Sequence, residues 1–145
     1  MATDVVEDSS IIVALVTPEK YSEWASKSLQ KYEYIHVLDL SFYEVANAIA
    51  QKIHNGLDAR DASLAFRKAE KMMNLSMVHS FSEVGMDALN KALDLQISVY
   101  DTAFLSLADK MDMQLLTLDL KLAKRLEPTK YARLIEYPNE KESRV

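Results

Sequence analysis

The sequence predicts an α/β fold, a three-layer α/β/α sandwich with a central parallel sheet of four to five strands. Two observations lead there. Short apolar runs of strand length alternate along the chain with longer stretches whose apolar residues recur at helical spacing. That alternation of short strands with helices implies a parallel sheet with helices on both faces. Finally, 145 residues with 49% hydrophobic and 27% charged side chains can bury one core without staples, so a single domain is expected.

The elements follow in order. Thr3 to Glu7 reads as a buried strand, and Ser9 and Ser10 offer capping hydroxyls to a helix from Ile11 to Val16 that Pro18 interrupts. Glu19 to Lys31 is a second helix, with Tyr21, Trp24, Ala25 and Leu29 near one face, and Tyr34 to Leu38 is the second strand. Ser41 is placed to cap a helix bearing Phe42, Val45, Ala46, Ile49, Ala50 and Ile53, which Asn55-Gly56 ends. Asp58 to Asn74 is helical with Leu64 and Ala65 inward, Ser76 to His79 is a weak third strand, and Ser82 to Leu95 is helical despite Gly85. A helix from Thr102 to Met111, a strand from Gln114 to Thr117, a short helix from Leu120 to Leu126 stopped before Pro128, and a fifth strand at Leu134 to Glu136 complete the series. The domain is expected to span residues 1–137, with 138–145 a polar tail that frays.

Composition removes several function classes. The absence of cysteine rules out disulfides, thiolate zinc sites and cysteine nucleophiles. Two glycines, Gly56 and Gly85, cannot build a phosphate-cradling loop. The longest apolar run, Ile11 to Val16, is far below the ~20 residues a membrane span requires, and the acidic start (Asp4, Glu7, Asp8) does not suit a secretory signal. A cytoplasmic protein without a membrane partner is the expectation. The net charge of -5 weighs against an open basic nucleic-acid surface, but not against a nuclease whose acids are offset by bound cations.

The chemistry lies in four acids far apart in sequence. Asp8 closes Val5-Val6-Glu7-Asp8, and Asp119 closes Leu115-Leu116-Thr117-Leu118-Asp119. Asp101 opens one helical run, and Glu44 lies in the first turn of another. In a parallel sheet the strand-end acids meet at the carboxyl edge, where open α/β sheets bind ligands. Carboxylates crowded together raise one another's pKa unless a cation shares the site, so the pattern points to a hard divalent metal.

These residues resemble a known family. Asp8-Ser9-Ser10, an apolar run and Pro18-Glu19 look like the opening of a PIN domain. Glu44-Val45-Ala46-Asn47 resembles its second motif, Tyr100 to Ala108 its third, and Leu115 to Asp119 its fourth. The resemblance covers about residues 4–137 and is closest to the VapC-type toxins of toxin–antitoxin pairs. It implies an endoribonuclease dependent on Mg²⁺ or Mn²⁺, leaving 5′-phosphate and 3′-hydroxyl ends, a homodimer, and inhibition by a cognate antitoxin. On this resemblance Asp8 and Asp119 are direct ligands, Asp101 and Glu44 complete the shell or hold its water, and Ser10 and Thr117 are supporting hydroxyls. Glu7 stands where the pattern has an apolar residue, either as a fifth acid or as a solvated neighbour. Lys121 occupies a position acidic in some relatives, which favours one metal.

Plainer readings stand beside these. Asp8, Asp101 and Asp119 could each serve only as helix caps. Glu44 falls opposite the apolar stripe of its helix, so periodicity makes it solvent-facing. Arg60, Arg67 and Lys71, and Lys121, Lys124 and Arg125, read first as solvated faces, and His36, His54 and His79 are scattered without ligand spacing. Three rival functions are a receiver-like signalling domain in which Asp39 accepts a phosphoryl group, a PIN fold without activity that serves as a binding or assembly module, and a free-standing RNA-processing nuclease.

Overall fold

A computed structural model describes residues 3–140. Five parallel strands form one sheet: β1 (Asp4–Glu7), β2 (Tyr34–Leu38), β3 (Met77–His79), β4 (Gln114–Leu116) and β5 (Ile135–Glu136), in the order β3-β2-β1-β4-β5. Around it pack α1 (Ser9–Val16), α2 (Ser22–Leu29), α3 (Leu40–His54), α4 (Ala59–Asn74), α5 (Gly85–Leu95), α6 (Val99–Met111) and α7 (Leu120–Leu126). From β1 the chain adds β2 and β3 on one side, then returns to add β4 and β5 on the other. The reversal falls between β1 and β4, and such a switch point opens a crevice beyond the carboxyl ends of the strands. Val6 pairs with Leu115 and Glu7 with Leu116, so β1 and β4 run out side by side. The Asp8 amide still donates to the Leu116 carbonyl at 3.1 Å.

Alternating strand residues feed two cores. Val6, Leu38 and Leu115 meet α5, α6 and α7 on one face, with Phe104, Leu105, Leu107 and Leu126. On the other face Val37 packs with Ile12, Val45, Ile49 and Met73, and Val5 with Ile11, Ala25 and Leu116. Helix α6 is buried continuously from Thr102 to Ala108. It therefore shows little of the amphipathic pattern expected of a surface helix.

Several local expectations need correction. Ser41 does not cap α3; the helix begins at Leu40, and Ser41 is fully buried. Ser9 and Ser10 lie inside α1, whose cap is Asp8, accepting the Ser10 amide at 3.0 Å. Helix α2 starts only at Ser22, because the Ser22 hydroxyl accepts the Glu19 amide and holds the preceding residues in a turn. In α4 the inward residues are Ala62, Ala65, Ala69 and Met73, while Leu64 is exposed. The segment before α5 is a 3₁₀ turn, Phe81–Glu83, held by a capping box on Ser80. Gly85 is thus the first residue of α5 and not an interior one, and a Cβ there would meet the Phe81 ring at 3.1 Å. Of the expected tail, Pro138 is buried and Lys124 pairs with Glu140 at 3.9 Å, while residues 141–145 lie outside the described residues.

Candidate active site

Asp8, Glu44, Asp101 and Asp119 line one cavity of about 150 Å³ at the switch point. Each arrives from a different segment, and local hydrogen bonds fix each in its own way. Asp8 leaves β1 in extended conformation and caps α1. Its Oδ1 also accepts the Ser10 hydroxyl, and its Oδ2 accepts the hydroxyl of Thr117. Thr117, fully buried at the end of β4, in turn accepts the Asp119 amide at 3.0 Å. Ser10 accepts the Leu118 amide at 3.0 Å. The two hydroxyls therefore lace the end of β1 to the end of β4, and both strand-end acids are oriented by the same pair. Asp119 caps α7, its Oδ1 accepting the Leu122 amide at 3.0 Å.

Asp101 is placed differently from the sequence expectation. Ser98 caps α6 by accepting the Asp101 amide at 3.2 Å, so the helix starts at Val99 and Asp101 lies within its first turn. Its carboxylate is not spent on capping and faces the cavity. Glu44 is likewise turned inward. It is half-buried, and the Ser9 hydroxyl donates to its Oε1 at 2.7 Å. The correction to the helical-period reading has a simple cause: α1 packs beside α3, and Ser9 supplies a polar partner on a face that periodicity assigned to water.

The electrostatics are those of crowded acids lacking a counterion. Burial pushes the Asp8 carboxyl up to about 6, against the opposing pull of the Ser10 and Thr117 hydrogen bonds. Asp101 is raised by burial and then by the charge of Asp119, and Glu44 by burial and, more weakly, by the charge of Asp101. Glu7 is neither a fifth acid of the cavity nor a solvated neighbour. It lies at the base of a separate hollow with Leu29, Ile35 and Met72, 2% exposed, its Oε2 without a hydrogen-bond partner among the described residues, and burial raises it to about 8.

Four carboxylates are the donors a hard divalent cation takes. Among the described residues no three such groups converge tightly enough to enclose an ion. A cage of that kind is not required for Mg²⁺, which keeps several waters and takes one or two carboxylates directly. The donor set fits the ion.

Asp39, the acceptor in the receiver-like reading, lies apart from this cavity. Its Oδ1 accepts the Phe81 amide at 3.0 Å, and it borders an apolar hollow with Leu40, Tyr43 and Phe81. The histidines are not all scattered: His36 Nδ1 meets His79 Nε2 at 2.8 Å, with Asp4 at 2.8 Å and Glu83 at 3.1 Å at the outer ends. That chain ties β1, β2 and β3 together, away from the acids. Sequence reasoning missed Ser9 and Ser98. A serine in or just before the first turn of each helix was the available signal, but only the packing shows which acid each one steers.

A parallel sheet with an acid-lined crevice at its switch point defines a class of protein, and a domain model places this chain within it. The PIN domain matches residues 5–126, and the chain belongs to that family. Ribonuclease VapC3 of Pyrobaculum aerophilum is 40% identical over 121 residues, which are 83% of this chain and 92% of that one. A crystal structure of another Pyrobaculum aerophilum protein matches with a TM-score of 0.63 at 25% identity, covering 93% of this chain and 84% of that one. A toxin–antitoxin complex from Klebsiella pneumoniae matches with a TM-score of 0.68 at 14% identity, covering 94% and 98%; that likeness is one of fold.

Proposed function

We propose that the protein is an endoribonuclease that hydrolyses RNA phosphodiester bonds at the acid cavity with Mg²⁺ or Mn²⁺. The observation that carries this reading is the meeting of Asp8, Glu44, Asp101 and Asp119 in one cavity, in a chain so similar to a ribonuclease. Asp8 and Asp119, on the ends of adjacent strands, are the direct ligands. Glu44 and Asp101, from helices, complete the shell or hold its water. When bound, a divalent ion supplies a water of lowered pKa and neutralises charge on the leaving oxygen. The chain's own work is preorganisation: Ser10 and Thr117 hold the Asp8 carboxylate from both sides, Ser9 holds Glu44, and Ser98 sets the turn that presents Asp101. The crowded acids also repel an RNA backbone until a cation balances them, which makes substrate and metal binding interdependent.

Asp8→Asn and Asp119→Asn should each abolish metal-dependent cleavage of a mixed RNA substrate while leaving a cooperative melt. Asp119→Asn should melt at or above the wild-type midpoint without metal, because the charge that raises Asp101 is removed. Retention of full cleavage by both would sink the assignment.

The likeness to a VapC ribonuclease supports a toxin role with a cognate antitoxin as partner. A homodimer is supported by exposed apolar side chains: Met86, Leu89 and Leu93 along α5, and Tyr43 and Tyr100 at the mouth of the apolar hollow.

A further inference from the structure

The acid cavity continues past Glu44. A second cavity of about 440 Å³ shares Ser9, Ser10 and Glu44 with it and runs on between α1 and α3. On α3 its wall is Glu44, Ala48 and Gln51, one stripe of the helix, continued by Asn55 at the helix's C-terminal cap. The small side chain of Ala48 keeps the stripe open in the middle. Gln51 and Asn55 are exposed, and neither carboxamide has a hydrogen-bond partner among the described residues. Lys52 is the cavity's cation, and it is paired with Glu19 at 2.6 Å.

We propose that this groove holds the nucleotide next to the scissile phosphate of a single-stranded RNA, and that Gln51 and Asn55 read the hydrogen-bonding edge of its base. The inference rests on the nuclease reading of the acid cavity. A phosphate held over the acids needs a neighbouring depression for the attached nucleoside, and this groove shares three residues with the acid cavity. The other hollow that adjoins the acids, through Tyr100, is walled by Leu40, Tyr43, Phe81 and Val99. Its exposed Tyr43 and Tyr100 belong to the apolar surface assigned above to a homodimer, which leaves the groove beyond Glu44 as the open neighbour of the acids.

The chemistry selects the occupant. With one paired lysine against Glu19 and Glu44, the groove does not suit a run of phosphates. A neutral heterocycle with hydrogen-bonding edges does suit it, with Val13 and Ala48 as apolar floor. A carboxamide presents one donor and one acceptor side by side, a pattern complementary to the hydrogen-bonding edge of a base. Unpaired RNA bases expose that edge to protein side chains.

Cleavage of a random-sequence RNA pool, with cut sites mapped by sequencing, tests this directly. Wild type should show one base enriched at one fixed position beside the cut, and a random base there would overturn the proposal. Gln51→Ala and Asn55→Ala should each weaken that preference by about tenfold, the discrimination one such contact carries. A second measurement does not depend on turnover: with Ca²⁺ in place of Mg²⁺ or Mn²⁺ to balance the acids, fluorescence anisotropy should show wild type binding an oligoribonucleotide that carries the preferred base more tightly than one that carries another base. Ala48→Trp, which fills the groove, should weaken that binding. If wild type cleaves but both alanine variants keep its base preference, or if Ala48→Trp binds the RNA as tightly as wild type, the groove belongs to another occupant, such as a peptide of a protein partner. If wild type cleaves no RNA under any metal, the nuclease reading itself falls, and this inference with it.

Discussion

Glu7 and Asp8 are joined by one peptide bond, yet Glu7 is buried beneath a separate hollow while Asp8 lines the acid cavity. Burial, and then the charge of Asp8, raises Glu7 from 4.5 to about 8. Unfolding returns it to the ordinary value, so between those limits the folded chain holds more protons than the unfolded one. Stability from this group is fully present below about 4.5 and is lost as pH rises through about 8. Asp8 acts in the same direction over 3.8 to about 6. Glu7→Gln keeps the shape and removes the titration. Its melting midpoint should vary less between pH 5 and 9 than that of wild type and exceed it at the alkaline end. The gain there should be on the order of a few kcal/mol, as a multi-unit shift at a buried site implies. A variant that melts below wild type at pH 9 would show that Glu7 is ionised and partnered in the folded chain.

At the scale of elements, the unit of the site is the pair of strand ends joined by hydroxyls. Thr117 donates to Asp8 and accepts from the Asp119 backbone, so Thr117→Val breaks two bonds at once. Removing a donor that lowers the Asp8 pKa must raise it further. The acid limb of the pH–rate profile should move to higher pH, with a stability loss of about 1–3 kcal/mol for the newly unpaired buried groups. An unshifted limb would mean that Asp8 does not govern activity. The strand-end acids were legible in the sequence because an apolar run that stops at a carboxylate is a local pattern. Glu44 and Asp101 were legible only by resemblance. Periodicity cannot register that Ser9 reaches across from α1, or that Ser98 starts α6 early enough to free the Asp101 side chain from capping. Gly85 was misread as a helix-interior cost for a similar reason, since the 3₁₀ turn that precedes it is set by Ser80 and Glu83 and not by apolar spacing.

At the scale of the whole molecule, two equilibria can be read without assigning any single residue. A divalent ion that binds the folded chain alone should raise the melting midpoint, so millimolar Mn²⁺ should stabilise wild type measurably and Asp119→Asn much less. No shift in wild type would count against the metal centre. The exposed apolar side chains of α5 make a second prediction. Sedimentation should give twice the chain mass for wild type, and Leu93→Glu, at a position 69% exposed, should shift it toward the monomer without lowering the melting cooperativity of the chain. A wild type that sediments as a monomer at all accessible concentrations would remove the homodimer.

Strand and helix identity, their alternation into a parallel sheet and the two strand-end acids are written locally, in runs, periods and breakers that short-range sterics and burial read directly. The pairing of β1 with β4, the turning of Glu44 and Asp101 into one cavity, and the burial of Glu7 behind Asp8 depend on which surfaces meet. Those contacts join residues up to 109 positions apart, as in the Thr117–Asp8 bond, and only the packed chain brings them within reach of a hydrogen bond.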